Sequence, residues 1–326
     1  VLYPFIFQPI FKERIWGGRE LERLYAKQLP PGKRIGESWE ISDRPGGASV
    51  IANGPMAGKT LCWLMKNHAR ELLGDASPAG ENRFPLLCKI LDARETLSLQ
   101  VHPPAAEAAG LKSESKTEMW FIADASPGAE LFVGLKRGVT RAAFEKKISD
   151  GSVADCFHRI PVRADDAMFL PSGRVHAIGA GLVIFEIQQN SDTTYRVFDW
   201  NRTGLDGKPR EVHVAQSLAS IDFNDFEPKL VPSKFNQAPN FKCRHLVQDP
   251  LFNVQEMMFE NAGSVTLAGQ QLRIIAIVKG AATIIGGNSN ASVDLKPGQF
   301  CLIPACLKGV EIKTKPQTTF LCAEPN

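Results

Sequence analysis

Four side chains with metal-ligating atoms occur at a suggestive spacing. Gln100 and His102 lie two apart in "TLSLQVH" (96–102), Glu118 opens "EMWFIADA" (118–125), and His176 ends "DDAMFLPSGRVH" (165–176). Residues i and i+2 of a strand project from the same face. Gln100 and His102 therefore point together, with Val101 turned away. Two imidazoles and a carboxylate, helped by an amide oxygen, form a plausible set for a divalent cation with a coordination position left open. The stretch between His102 and Glu118 is rich in Pro, Ala, Ser and Lys and shows no apolar period. The ligands must then come from separate strands that the fold gathers.

Those strands are visible as short runs separated by Gly, Pro, Asn and Asp. They include "ASVIA" (48–52), "PLLCKILDA" (85–93), "LVIFEIQQN" (182–190) and, further on, "FNVQEMMFE", "LRIIAIVKG", "ATIIGG" and "QFCLIPA". This pattern predicts a mainly β chain of the sandwich or barrel type. Helical periodicity is confined to "TLCWLMKNHARELLG", which Thr60 caps and Gly74 ends, and to 140–151 and 210–221. A Pro/Asn/Lys-rich segment at 226–242 reads as a linker. We expect a larger first domain over 1–240 and a smaller one over 241–326. The stretch 165–176 also aligns with "GQFCLIPACLKG" (298–309). Pro171 matches Pro304, but Cys306 and Gly309 replace Gly173 and His176. The second domain is thus expected to be a degenerate copy of the first that has lost a ligand.

The 326 residues carry 38 basic and 35 acidic side chains, a formal charge of +3. Spread in this way, they argue against a nucleic-acid surface and leave room for a small anion. Seven cysteines, an odd number with no Cys-x-x-Cys, point to a reducing compartment and a cytoplasmic location. The apolar start lacks a basic leader and is broken by Pro4 and Pro9, so no signal peptide is read. No run approaches the length of a membrane span. His68, His158, His213 and His245 read as structural or surface histidines, and Trp16, Trp39 and Trp120 as packing anchors.

The motif "PSGRVHAIGAG" resembles the second metal motif of the cupin superfamily. The order "GESWEISDRPGGASV" (36–50), "LSLQVHP" (97–103), "KTEMWFI" (116–122), "VHAIGAG" (175–181) and "QQNSDTTYRVFDWNR" (188–202) resembles the type I phosphomannose isomerases of the short bacterial class. The resemblance implies two cupin-type jelly-roll barrels with a few helices in or beside the first. It implies one Zn2+ per chain on Gln100, His102, Glu118 and His176, and a catalytic arginine at Arg196. Ser98 and Lys116 match substrate-facing positions on the phosphate side. Glu186 and Asp192 match acidic positions lining the same cavity, with Glu186 the more suitable for moving a proton. The implied reaction interconverts mannose 6-phosphate and fructose 6-phosphate through a cis-enediolate, with a sugar phosphate as substrate and neither nucleic acid nor membrane as partner. Two other readings fit two histidines and a carboxylate: a cupin iron oxygenase and a non-catalytic sugar-binding cupin. The Arg196, Lys116 and Ser98 set favours the sugar phosphate.

Overall fold

The computed structural model describes residues 1–326. Two jelly-roll barrels pack side by side. In the first, a six-stranded antiparallel sheet runs in the order Ile10–Gly18, Ile35–Ile41, Leu86–Ala93, Leu182–Gln189, Glu118–Ala125, Ala167–Leu170. Facing it is a five-stranded sheet in the order Tyr195–Phe198, Leu99–Val101, His176–Ile178, Glu130–Leu135, Phe157–Pro161.

The six-stranded sheet is buried on both sides, which explains why its strands read as continuous apolar runs. All eight residues of Leu86–Ala93 are buried. Leu91 and Ala93 enter the interior of the first barrel with Trp120, Ile122 and Ile184. Leu86, Cys88 and Ile90 turn the other way, with Met119, Phe121 and Phe185. There they join a core of 36 buried residues that also takes Val254, Ile274, Leu302 and Leu321 from the second barrel. The helix Leu61–Leu73 closes this core with Leu61, Leu64, Met65, Leu72 and Leu73. Thr60 caps it through the Trp63 amide, as expected, and the helix is interrupted at His68.

The second barrel repeats the strand order of the first. Its larger sheet runs Asn236–Gln237, Lys242–Gln248, Phe252–Phe259, Thr318–Pro325, Arg273–Lys279, Phe300–Ile303. The two sequence stretches that align, 165–176 and 298–309, supply the same edge strand of each barrel. At the register where Leu170 faces Glu118, Ile303 faces Arg273. Arg273 is ion-paired with Glu324 through a 2.5 Å contact. A cation thus stands in the second barrel where the first has a carboxylate.

Some local expectations change. "ASVIA" is no full strand: it contributes a two-residue ladder at Gly47–Ala48 and isolated bridges at Val50 and Ile51. The helix expected over 210–221 is Val214–Ser220, because Arg210 is drawn off to an ion pair with Asp199 and Glu211 binds Arg196 through its carbonyl. The first residues of the chain also cross to the second barrel, where Phe5 and Leu302 exchange two 2.8 Å backbone hydrogen bonds. No helix is long and apolar enough to cross a membrane.

A buried ion pair of the second barrel reaches across to the first. Arg244, 2% exposed, binds fully buried Glu256 at 2.6 Å, and its other nitrogen donates to the carbonyl of Asp165 in the first barrel. Removing one partner strands a buried charge, which costs about 3–5 kcal/mol, whereas an apolar replacement of both is tolerated. Urea unfolding should therefore show Arg244→Ala destabilised by about that amount and Arg244→Met/Glu256→Leu far less. Equal losses in the two variants would contradict the stranded-charge account.

Candidate metal centre and active site

Strand register assembles the site. Across the five-stranded sheet, Gln100 pairs with His176 on one side and with Arg196 on the other. Paired residues share a face, so Arg196, Gln100 and His176 form one inward row. On the opposite sheet Glu186 pairs with both Lys89 and Trp120, and Gln188 pairs with Glu118. His102 lies just past its strand, where its carbonyl accepts a 2.8 Å hydrogen bond from the Gly173 amide. Gly173 has φ +92°, a conformation that favours glycine. This accounts for the glycine in the Pro-x-Gly-x-x-His turn that carries the chain to His176.

The ligating atoms of His102, Glu118 and His176 lie within 4.8 Å of one another. His102 Nε2 is 3.5 Å from Glu118 Oε2, and His176 Nε2 is 3.4 Å from Oε1. The Gln100 amide lies 3.3 Å from His176 Nε2. The His176 Nδ1 sits 2.9 Å from the Arg174 carbonyl. That contact places the proton on Nδ1 and aims the Nε2 lone pair inward. Both nitrogens of His102 and both oxygens of Glu118 are buried without a hydrogen-bond partner. Such groups are costly to bury unpaired. A divalent cation satisfies them together, and the donor set fits one.

The electrostatics agree. Burial, aided by Lys116, lowers the His102 pKa to about 3, and burial also lowers that of His176, so both rings are neutral. Burial works against ionised Glu118, but Lys116, His102 and His176 together outweigh it and hold the carboxyl well below its ordinary range. Trp120 links this cluster to the next: its ring meets His176 edge-on at 5.3 Å, and its Nε1 donates to Glu186 at 2.9 Å. Glu186 pairs with Lys89 at 3.0 Å, both about 5% exposed. Burial lowers the Lys89 pKa, but Glu186 and Glu37 raise it more, so the ammonium stays charged.

Beside this cluster a cavity of about 560 Å³ opens between the sheets. Ser98, Gln100, Lys116, Glu186, Asp192 and Arg196 all border it, as does Trp16. Asp192 stands exposed at the rim. Lys116 Nζ is 3.1 Å from Glu118 Oε2, which puts its ammonium beside the metal-ligating cluster. Sequence reasoning passed over Lys89, Arg14, Glu37 and Arg210, which share the cavity. A lysine inside the apolar run "PLLCKILDA" was the signal for the first.

Glu37 accepts from Arg14 Nε at 2.7 Å and from Trp39 Nε1 at 2.6 Å. Burial pushes its pKa up, but Lys89 and Arg14 outweigh this and bring it from 4.5 down to about 2. A depressed carboxylate contributes stability that is present above the unfolded pKa and lost as pH falls toward the folded one. Between pH 4.5 and 2 the wild type should therefore lose about 3 kcal/mol more than Glu37→Gln. Urea unfolding across that range checks this, and parallel losses would contradict it.

With this geometry in view, likeness to known proteins is informative. The phosphomannose isomerase type I catalytic domain matches residues 5–124. The mannose-6-phosphate isomerase ManA of Bacillus subtilis is 35% identical over 305 residues, covering 92% of this chain and 93% of ManA. The probable mannose-6-phosphate isomerase GmuF of the same organism is 33% identical, covering 93% and 94%. The crystal structure of the mannose 6-phosphate isomerase from Bacillus subtilis superimposes with a TM-score of 0.88 at 30% identity, over 99% of each chain. Carried along nearly its whole length by these likenesses, the chain belongs to the type I phosphomannose isomerases, a family of cupin-fold mannose-6-phosphate isomerases.

Proposed function

We propose that this protein interconverts mannose 6-phosphate and fructose 6-phosphate through a cis-enediolate, using one Zn2+ per chain in the cytoplasm. The observation that carries the reading is the buried His102, Glu118 and His176 cluster, with both His102 nitrogens unpaired, beside a cavity whose wall includes Gln100, Lys89, Lys116 and Arg196. Gln100, His102, Glu118 and His176 would hold the ion. When bound, zinc supplies Lewis-acid polarisation of the substrate's carbonyl and hydroxyl oxygens. Seven free cysteines suit a reducing compartment. Residues 1–240 supply the reacting barrel in this reading, and 241–326 pack against it without a metal.

The chain's own groups divide the remaining work. Arg196 has no carboxylate partner, and its Nε is buried without an acceptor. It is permanently charged and faces the negative charge that develops on the substrate oxygens. Lys116, at Glu118, donates to the same reacting end. Glu186 takes the proton from C2 and returns it at C1, while Lys89 and Trp120 fix its position. Ser98 and Asp192 orient the sugar hydroxyls.

Chelation should abolish isomerisation in a coupled assay, and one equivalent of Zn2+ should restore it. His102→Ala and His176→Ala should lose the ion by elemental analysis. Metal-free protein that keeps full activity, or a second tightly held equivalent, contradicts the assignment. Arg196→Lys keeps the charge but loses the planar fork. It should lower kcat and kcat/KM together by roughly 10²–10³, with zinc content unchanged. Wild-type kcat in this variant would remove Arg196 from the chemistry.

A further inference from the structure

His213 does not border the cavity, yet it grips Arg196 from behind. Arg196 belongs to Tyr195–Phe198, the edge strand of the five-stranded sheet. On an edge strand, alternate residues turn both backbone groups away from the only neighbouring strand. At Arg196 one residue answers both groups. The Arg196 amide donates to His213 Nδ1 at 3.1 Å. The His213 amide donates to the Arg196 carbonyl at 2.8 Å. The same segment takes the side chain as well, since Arg196 Nη1 donates to the Glu211 carbonyl at 2.6 Å. Residues 211–213 thus hold Arg196 by backbone and guanidinium together.

His213 immediately precedes the helix Val214–Ser220, and its carbonyl accepts from the Ser217 amide at 2.8 Å. Side chains at such a position commonly turn back to cap the helix. This imidazole makes no capping bond and is spent on Arg196 instead. A backbone N–H only donates, so Nδ1 must keep its lone pair, and the ring is neutral with its proton on Nε2. Protonation would set a second N–H against the first and break the contact. Few charges face the ring. From its own segment come Glu211, whose Oε2 is 3.8 Å from Nε2 and whose side chain is 83% exposed, and Arg210, which is engaged by Asp199. From the edge strand come Tyr195, its ring centroid 6.0 Å away, and Arg196 itself. The helix Val214–Ser220 has no ionisable side chain, and neither has Leu99–Val101, which packs against it.

We propose that His213 is a positioning residue for Arg196: its neutral ring fixes the arginine toward the reacting end, and its protonation releases the arginine, so that turnover falls in mildly acid solution. The inference rests on the isomerase reading and deepens it. Imidazole is the side chain whose charge changes between about pH 5 and 8. The Arg196 guanidinium has one acceptor in the protein, the Glu211 carbonyl, and its Nε has none. Its aim therefore depends on how the backbone beneath it is held. Gln100 flanks that backbone on the inner side of the strand, and His213 holds it on the outer side. A misplacement of about 1 Å in a catalytic group can cost roughly 10²-fold in rate.

Two measurements on the zinc-loaded full chain test this. Nitrogen NMR of the histidine rings should find His213 as the Nε2–H tautomer, and the Arg196 amide should shift as that ring takes up a proton. The pH dependence of kcat with mannose 6-phosphate should contain an acid limb whose midpoint matches that titration. At about pH 8, where imidazoles are neutral, His213→Ala should lower kcat about 10-fold, with KM within about threefold and zinc content unchanged. Its profile should lack the limb. His213→Asn, whose amide oxygen can stand where Nδ1 stands, should recover most of kcat and also lack the limb. An Nδ1–H tautomer overturns the inference, as does His213→Ala with the kcat and profile of the wild type. Should His213→Ala not fold, a wild-type limb in His213→Asn overturns it equally. In each case slow turnover by Arg196→Lys leaves the isomerase reading standing. Wild type without mannose 6-phosphate turnover overturns both.

Discussion

The barrel buries a carboxylate that no hydrogen-bond donor properly satisfies. Glu118 is fully buried, both its oxygens lack a hydrogen-bond partner, and two neutral imidazoles point lone pairs at it. Lys116, 3.1 Å from Oε2, offsets part of the cost of burying this charge, and a bound cation would answer the rest together with the unpaired His102 nitrogens. The surrounding structure reads as the means of holding that arrangement until the cation binds. The turn at Gly173 delivers His176, the Arg174 carbonyl sets its tautomer, and Trp120 braces its ring.

A second layer of charge pairs surrounds this centre in the same barrel interior. Glu186 with Lys89 and Glu37 with Arg14 are balanced against each other across adjacent strands. Lys89, Glu186 and Glu37 are buried and Arg14 is half-buried, each beside its partner, so the cavity is polar without carrying a large uncompensated field. The exception is Asp199, one carboxylate shared by Arg202 and Arg210. The second barrel shows the alternative outcome for the same topology. There Arg273 and Glu324 close the equivalent register with an ion pair, and the barrel covers one face of the shared core.

Much of this was legible in the sequence, for reasons that are local. Gln100 and His102 obey the period of a strand, and Pro-x-Gly-x-x-His carries its own turn chemistry. The helix from Leu61 announces itself through Thr60 and Gly74. What was not legible depends on pairing between distant strands. The Lys89–Glu186 pair and the placing of Arg196 beside Gln100 follow from register, which no single segment encodes. The same holds for the crossing of Phe5 to Leu302. The run "PLLCKILDA" looked like ordinary core because both its faces are buried, one in the barrel and one between barrels. Its one lysine was the only trace of the polar interior.

The central claim is that strand register builds one cation site from His102, Glu118, His176 and Gln100. Anomalous scattering from crystals of the zinc-loaded protein tests it most directly. The account predicts a single strong peak coordinated by Nε2 of both histidines and by the Glu118 carboxylate, with none near Arg273. A peak that leaves Glu118 uncoordinated, or one seated in the second barrel, would contradict it.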